Sequence, residues 1–298
     1  MKKILTVLLM VLLALTMAAC SGSGNGGSKS DKIINDNGLM RMHITAPEGY
    51  ESVERNTLED LNGNVTEKDI NYYFEDGKEV DFTYLKDTVL GELVDLSQLE
   101  TLEVNGNSYY YYPYGSDHMA FIQIDNDLGG VDCITDAEDG KDQLVKILEG
   151  ITITSSMDTA VNDHDLYDIK YEIDNSLPLF QYGLTASEDA QGKLTKKSVA
   201  WYFGDADETL YRMLIRVYPD TELESLLSES YEYDEKEING ITFTEQLSDS
   251  EAPFNYYVKH GSDVYQIRNL GVSNGWFTSR SDESVKVLED LLNSISFE

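Results

Sequence analysis

The chain has 298 residues, and its 55 Asp and Glu against 22 Lys and Arg give a formal net charge of −33. With 41% hydrophobic and 10% aromatic residues, it is too apolar for a wholly disordered acidic chain and long enough for one or two globular domains. A surface this negative repels polyphosphates and anionic lipid headgroups, which argues against nucleic-acid binding and direct electrostatic docking to a membrane. Its two cysteines are too few for a disulfide scaffold or a CxxC-type zinc site.

Residues 1–19 have the layout of a secretory signal peptide. A short positive segment at Lys2 and Lys3 precedes an apolar run that ends in small residues. The run is shorter than the roughly 20 residues that a membrane-spanning helix needs. Because Cys20 follows the small pair directly, Met17-Ala18-Ala19-Cys20 resembles the lipobox of bacterial lipoproteins, with methionine where leucine is usual.

The lipobox resemblance implies that the chain is cut before Cys20 and that the thiol of Cys20 is diacylated. The protein would then sit on the outer face of the cytoplasmic membrane, and we expect a Gram-positive bacterium. Residues 20–36 would form the lipidated cysteine and a flexible tether rich in glycine and serine. The alternative is an ordinary signal peptide followed by a chance cysteine. Cys133, left without a partner, is predicted to be a small buried side chain.

The rest of the chain repeats itself in sequence. The first pair of segments shares Thr66/Thr195 and Tyr73/Tyr202 at a constant offset of 129 residues. Five matching blocks occur in the same order: 64–74 with 193–203, Asp87-Thr88 with Asp220-Thr221, Glu103–Gly106 with Glu237–Gly240, Gln123-Ile124 with Gln266-Ile267, and Leu144–Ile151 with Leu288–Ile295. We interpret them as an internal duplication, with copies at residues 37–155 and 166–298 and a polar linker at 156–165.

The sequence of each copy predicts a group of strands followed by a helix, and then a second group of strands followed by a second helix. Residues 75–78 contain the Asp-Gly signal of a hairpin turn, and the alternation of apolar residues over 211–217 is typical of a strand with one buried face. Asp87 and Asp220 are candidate N-caps of a short helix, and a terminal amphipathic helix begins near Ser281 in the second copy. Because this order lacks β-α-β alternation, we predict an α+β fold with two tandem copies of an antiparallel sheet packed against helices.

The predicted copies resemble the PsbP/Mog-like fold. The motifs that carry the resemblance are the opening turn Pro47-Glu48-Gly49-Tyr50, the hairpins at Asn105-Gly106 and Asn239-Gly240, and the terminal helix. The second copy departs from the pattern, since Leu177-Pro178-Leu179-Phe180 lacks the glycine. Proteins of that fold are mostly binding or assembly factors, so the resemblance implies a non-catalytic module.

Catalytic motifs are absent from the sequence. Its four histidines show no metal-binding spacing, and it has neither a Gly-x-Ser-x-Gly elbow nor a phosphate-cradling loop. We therefore favour a binding or assembly protein over an enzyme, with no cofactor. The alternative is an envelope enzyme, hydrolytic or wall-modifying, that uses a carboxylate pair the sequence does not identify; converging carboxylates with raised pKa would favour it. A solute-binding lipoprotein would need two β-α-β lobes, which the antiparallel pattern disfavours.

One acidic turn is a candidate calcium site. Asp125, Asp127 and Gly130 match positions 1, 3 and 6 of an EF-hand loop. Gly129 supplies no side chain at position 5, and Asp136 stands at position 12 where glutamate is expected. The alternative is a tight acidic turn between strands.

A tyrosine run is the candidate ligand-binding surface. The run comprises Tyr109, Tyr110, Tyr111, Tyr112 and Tyr114. A strand points alternate side chains to opposite faces, so we expect some of these rings to be exposed for an envelope protein or a wall glycan. The alternative is that tyrosine simply has high strand propensity.

Overall fold

The computed structural model describes residues 38–134, 139–155, 166–173, 179–204, 209–247, 255–273, 276–277 and 282–297. These residues form mainly β-strands, with three α-helices and two short 3-10 turns at Leu96–Gln98 and Leu223–Ser225. Within these ranges, none of the helices has the length and apolar character required to cross a bilayer. The signal peptide, the tether with Cys20 and the predicted linker at 156–165 lie outside the described residues.

The described residues of the first half form ten strands and two helices. In chain order they are β1 (Gly38–Leu39), β2 (Met42–Ile44), β3 (Ser52–Asp60), β4 (Val65–Tyr73), β5 (Glu79–Leu85), α1 (Leu90–Leu93), β6 (Glu100–Val104), β7 (Asn107–Tyr114), β8 (Asp117–Ile124), β9 (Asp127–Ile134), α2 (Gly140–Glu149) and β10 (Ile151–Ile153). The hairpin turn predicted at residues 75–78 is confirmed, since it joins β4 to β5.

The described residues of the second half form ten further strands and one helix. They are β11 (Ile169–Lys170), β12 (Leu179–Asp189), β13 (Leu194–Gly204), β14 (Thr209–Tyr218), β15 (Tyr233–Ile238), β16 (Ile241–Gln246), β17 (Asn255–His260), β18 (Asp263–Ser273), β19 (Trp276–Phe277), α3 (Asp282–Ser294) and β20 (Ser296–Phe297). Where the sequence predicts a short helix after β14, the structure has a 3-10 turn.

Fourteen strands form one continuous antiparallel sheet, and this corrects the predicted fold class. Their order is β15-β16-β17-β18-β14-β13-β12-β3-β4-β5-β9-β8-β7-β6, with β19 beside β18. The α+β prediction of a separate sheet in each copy, packed against helices, is wrong: the protein is mainly β. The physical reason is that β3 and β12, the first long strand of each half, pair with each other and leave neither half with an inner edge.

The seam between β3 and β12 has local two-fold character. Asn56 faces Thr185, and these partners are 129 residues apart, the same offset as the first sequence repeat. The hydroxyl of Thr185 donates to Oδ1 of Asn56 at 2.8 Å. One residue away, on the opposite face of the sheet, Arg55 Nη1 contacts Glu188 Oε2 at 2.8 Å, and both side chains are buried. Side-chain contacts therefore join the halves on both faces of the sheet.

Equivalent turns in the two halves are closed by the same hydrogen bonds. The backbone N–H groups of Asp87 and Asp220 donate to Oδ1 of Asp127 and Asp263, at 2.9 and 3.1 Å. Asp87 and Asp220 have φ of 51° and 48°, a left-handed conformation that aspartate tolerates better than most residues. They are not helix N-caps as predicted, because Val89 precedes α1 and caps it with no side-chain bond.

The recurring turns also correct one of the sequence matches. Because Asp127 and Asp263 open β9 and β18, these two strands are equivalent. Gln123 lies in β8 and Gln266 in β18, so those two residues are not at equivalent positions.

One face of the sheet is covered in each half by a separate apolar core. In the first half, Leu144 and Leu148 of α2 pack onto β8 and β9. In the second half, Leu288 and Leu291 of α3 join a similar core that includes β18. Burying each such side chain contributes about 1.5–3 kcal/mol, so these cores stabilise one face of the sheet and leave the opposite face for other contacts.

Candidate functional site

The face of the sheet opposite the two cores carries two clusters of charged side chains, and we call it the polar face. In a strand every second side chain points to this face, and directly opposed residues of neighbouring strands share it. The carboxyl cluster lies on β4, β5 and β9 of the first half: Glu67, Asp69, Glu79, Asp81 and Asp132. The arginine cluster lies on β14 and β18 of the second half: Arg212, Arg216 and Arg268.

The carboxyl cluster is buried, although it is outside the apolar core. Asp81 faces Asn71 on β4 and Asp132 on β9, which places three polar side chains in one row across three strands. Asp69, Asp81 and Asp132 are only 3%, 8% and 8% exposed. Both carboxyl oxygens of Asp132 are enclosed and have no hydrogen-bond partner among the described residues. Such burial disfavours the ionised form of each carboxyl.

Burial and mutual repulsion raise the pKa of every carboxyl in the cluster. The pKa of Asp69 and that of Asp81 lie well above the usual range, chiefly through burial and then through the charges of Glu67 and Glu79 respectively. Burial raises the pKa of Asp132 to about 7, with Asp117 and Glu79 adding to the effect. Glu67 with Asp69, and Glu79 with Asp81, form hydrogen-bonded carboxyl pairs, and burial also raises the pKa of Glu67 and that of Glu79.

Asn71 is a second buried polar group in the same row. Its side chain is 1% exposed, and neither its Nδ2 nor its Oδ1 meets a hydrogen-bond partner of normal geometry in the described chain. A buried amide with no partner costs about 1–3 kcal/mol, so its free donor and acceptor are available to a water or a ligand group. Asn71, Asp81 and Asp132 therefore form an enclosed row of polar side chains whose hydrogen-bonding groups are not all satisfied within the described residues.

The arginine cluster occupies positions equivalent to those of the carboxyl cluster. The register of the strands is the same in both halves. Leu214 is equivalent to Asp81, and it faces Arg268 just as Asp81 faces Asp132. Opposite charges stand at three equivalent pairs of positions: Glu67 and Lys196, Glu79 and Arg212, Asp132 and Arg268. The same backbone framework thus presents acids in one half and bases in the other.

Arg212 and Arg216 of the arginine cluster donate hydrogen bonds to neutral groups. Arg216 Nη1 donates to Tyr218 Oη at 3.1 Å and to Gln266 Oε1 at 3.3 Å, and Arg212 Nη1 donates to Tyr202 Oη at 3.4 Å. Neither Arg212 nor Arg216 forms an ion pair with another described residue, and the Nε atom of each is buried with no acceptor. Burial, and the charges of Arg216 and Arg212, lower the pKa of Arg268.

A buried amide network fixes the side of the arginine cluster near β17. Gln266 Nε2 donates to Asn255 Oδ1 at 2.9 Å, and Asn255 Nδ2 donates to Gln246 Oε1 at 2.9 Å and to Tyr257 Oη at 2.8 Å. These bonds leave Gln266 Oε1 for Arg216, which holds that guanidinium in place. A site held by buried side chains in this way is preorganised.

The five tyrosines predicted to bind a ligand divide between the two faces of β7. Tyr109 and Tyr111 are 1% and 7% exposed in the first core, and Tyr111 Oη lies 2.8 Å from His118 Nδ1. Tyr110, Tyr112 and Tyr114 point to the polar face. Tyr112 and Tyr114 are 38% and 43% exposed, and their stacked rings have centroids 6.4 Å apart. Three of the five thus belong to the same surface as the charged clusters.

The candidate calcium ligands have other contacts in the structure. Asp125 pairs with Arg41 at 2.8 Å, and Asp127 accepts hydrogen bonds from Tyr84 Oη at 2.6 Å and from the N–H of Asp87. Asp136 lies outside the described residues. Within the described ranges, no three His, Cys, Asp or Glu side chains converge in a geometry that could hold a metal ion. Cys133 is buried, and burial raises the pKa of its thiol to about 11.

Both charged clusters were missed by the sequence analysis, although the sequence contains their signal. Carboxyl side chains alternate with core residues at Glu67 and Asp69 on β4 and at Glu79 and Asp81 on β5. Alternation places them on one face, but the pairing of β4 with β5 and of β5 with β9 is needed to bring them together.

Comparisons with known proteins do not assign the chain to a family. No family model matches it, and no curated protein matches it. Among solved structures, immunity protein TplEi of T6SS from Pseudomonas aeruginosa complexed with "L" peptide is 12% identical with a TM-score of 0.24, covering 87% of this chain and 96% of its own. MucB in complex with MucA(peri) is 10% identical with a TM-score of 0.21, covering 84% and 93% respectively. Both were solved with a peptide or protein partner, but TM-scores this low carry no inference about this chain.

Proposed function

We propose that this protein is a lipid-anchored, extracytoplasmic binding protein that holds a charged partner on its polar face and performs no catalysis. The anchor is the lipidated Cys20 on the outer face of the cytoplasmic membrane, as the lipobox resemblance implies. The partner is another envelope protein, and a wall glycan is the alternative occupant. The PsbP/Mog-like resemblance of the sequence motifs is compatible with such a role, although the sheet is continuous rather than divided.

The exchange of charge between equivalent positions of the polar face is the observation that carries this proposal. Neither cluster is neutralised by the other, because the described ion pairs of the polar face lie at the seam, where Lys196 contacts Glu54. Each cluster also contains buried polar atoms with no partner. Structures rarely retain such groups unless another molecule satisfies them, and perturbed charged groups concentrate at functional sites.

The carboxyl cluster also supports a second candidate function, an envelope hydrolase. Hydrogen-bonded carboxyl pairs with raised pKa are the arrangement that general acid–base catalysis requires. Burial argues against it, because a catalytic acid must reach a substrate and Asp69 and Asp81 are almost fully enclosed. We therefore favour binding. Substitution of Asp81 by asparagine separates the two functions, because it would remove an acid of a candidate catalytic pair but leave the arginine side of a binding face intact.

Site-specific photo-crosslinking on intact cells tests the binding proposal. A benzophenone amino acid replaces Tyr114, an exposed residue of the polar face, and in a matched control it replaces Tyr231, which is 52% exposed in a turn. The binding proposal predicts a discrete product from position 114 and none from position 231. The proposal fails if neither position yields a product, or if both yield the same mixture. Glycosidase or protease treatment of the product distinguishes a glycan from a protein.

A further inference from the structure

The arginine cluster has the features of a binding site for an oxyanion. Arg212 and Arg216 are two residues apart on β14, so their side chains emerge on the same face, and Arg268 emerges between them from β18 opposite Leu214. The guanidinium groups of Arg212 and Arg216 carry like charges on one face, and no carboxylate of the described residues forms an ion pair with either of them.

The acid content of the chain makes it unusual that neither Arg212 nor Arg216 has a carboxylate partner among the described residues. The sequence has 55 Asp and Glu against 22 Lys and Arg, so random placement would give most arginines an acidic neighbour. Arg55 and Arg41 do have one, in Glu188 and Asp125. For Arg212 and Arg216 the neighbours are instead the hydroxyls of Tyr202 and Tyr218 and the amide of Gln266.

The neighbouring groups suit an anion with several acceptor oxygens. Each guanidinium offers donors in a planar fork that matches carboxylate or phosphate, and the Nε donors of Arg212 and Arg216 are unused and shielded from water. Tyr202 and Tyr218 lie beside the guanidinium groups, with Arg Cζ 5.7 and 5.9 Å from the ring centroids. The Tyr202 hydroxyl can supply a further donor, whereas the Tyr218 hydroxyl donates to Gln266 Oε1.

We propose that Arg212, Arg216 and Arg268 form a binding site for an oxyanion group, a phosphate or a carboxylate, of the molecule that occupies the polar face. This inference rests on the proposed function, because it names the chemistry of one part of the same surface. The equivalent positions of the first half carry Glu79, Thr83 and Asp132, so the arginine cluster is not repeated at those described positions. The strongly negative remainder of the protein keeps distant anions away and restricts binding to ligands that reach the cluster itself.

Thermal unfolding with inorganic phosphate tests the site directly. The protein is purified from membranes in a nonionic detergent and unfolded in phosphate, citrate or chloride at matched pH and ionic strength. We expect phosphate or citrate to raise the Tm by several degrees more than chloride does. The Arg212→Gln/Arg216→Gln variant should lose that increment and bind the anion at least tenfold more weakly, whereas Lys78→Gln, which removes a paired surface charge, should retain it.

A second measurement on the unaltered protein covers the case in which the arginine variant does not fold. Phosphate is titrated into isotope-labelled protein while the Nε–H resonances of the arginines are recorded. Saturable shifts of the Arg212 and Arg216 signals, with an unchanged Arg55 signal, support the site. A parallel titration with citrate identifies the ligand class: shifts that only citrate produces indicate a carboxylate rather than a phosphate. Shifts that do not saturate, or that appear equally at Arg55, overturn it. If the titration gives no such shifts but position 114 still yields a discrete crosslink, the proposed binding function stands and only the oxyanion site is rejected.

Discussion

Substituting Asp132 by asparagine should make the protein less sensitive to alkaline pH. Burial raises the pKa of Asp132 from 3.8 in the unfolded chain to about 7 in the fold. Between these two values the folded state binds the extra proton, so stability is highest at low pH and falls as the pH rises through 7. Asparagine cannot ionise, so the variant avoids the cost of placing a charge in this enclosed row.

The size of the effect follows from the two pKa values. Relative to its value at low pH, the free energy of unfolding of the wild type is lower by about 1.5 kcal/mol at pH 5 and by about 4 kcal/mol at pH 8, because Asp132 ionises more readily in the unfolded chain. The stability difference between Asp132→Asn and the wild type should therefore change by about 2.5–3 kcal/mol in favour of the variant between pH 5 and pH 8. Asp69 and Asp81 titrate in the same direction, and they remain in both proteins.

Urea unfolding at pH 5, 6, 7 and 8 measures this difference. Asp76→Asn is the control, because Asp76 is exposed and Lys78 lowers its pKa, so this variant should lose stability with pH as the wild type does. Parallel pH profiles for Asp132→Asn and the wild type would refute the argument that the carboxyl row is desolvated.

Three further predictions concern the seam, a turn and the anchor. Arg55→Met leaves Glu188 buried without this partner and should cost about 3–5 kcal/mol in urea unfolding, and a loss below about 1 kcal/mol would show that the seam does not depend on the ion pair. Asn239 has a φ of 51°, and its side chain donates to the carbonyl of Asn293 at 2.7 Å, so Asn239→Ala should lower the free energy of unfolding by about 1–2 kcal/mol. Asn239→Gly should cost less, because glycine adopts this φ without strain, and equal losses would contradict this reasoning. Cys20→Ala should move the protein from the membrane fraction to the medium, and retention in the membrane fraction would exclude the lipid anchor.

Local features of the fold were predictable because they depend on neighbouring residues. The Asp-Gly turn at residues 75–78 and the strand over 211–217 follow from turn chemistry and from a two-residue period. The pairing of β3 with β12 was not predictable, because alternation shows that a strand has a buried face but not which strand lies beside it. That pairing turned two expected sheets into one and made the α+β prediction wrong.

The candidate site shows the same division between local and long-range information. The tyrosine run indicated a face-alternating strand, but separating core Tyr109 from exposed Tyr114 required the position of α2 and the first core. The meeting of Asp81 with Asp132 spans a long stretch of chain, as does that of Arg216 with Arg268, and both depend on a crossover in which β9 and β18 return beside β5 and β14. Sequence spacing carries no signal for such contacts.

The central claim is that the polar face binds a charged partner. Its most direct test is the yield of the photo-crosslink from position 114 when the same protein also carries a substitution elsewhere. The account predicts one discrete product whose yield falls in the Arg212→Gln/Arg216→Gln background and is retained in the Lys78→Gln background. A product whose yield is the same in both backgrounds, or the absence of any product from position 114, would contradict the claim.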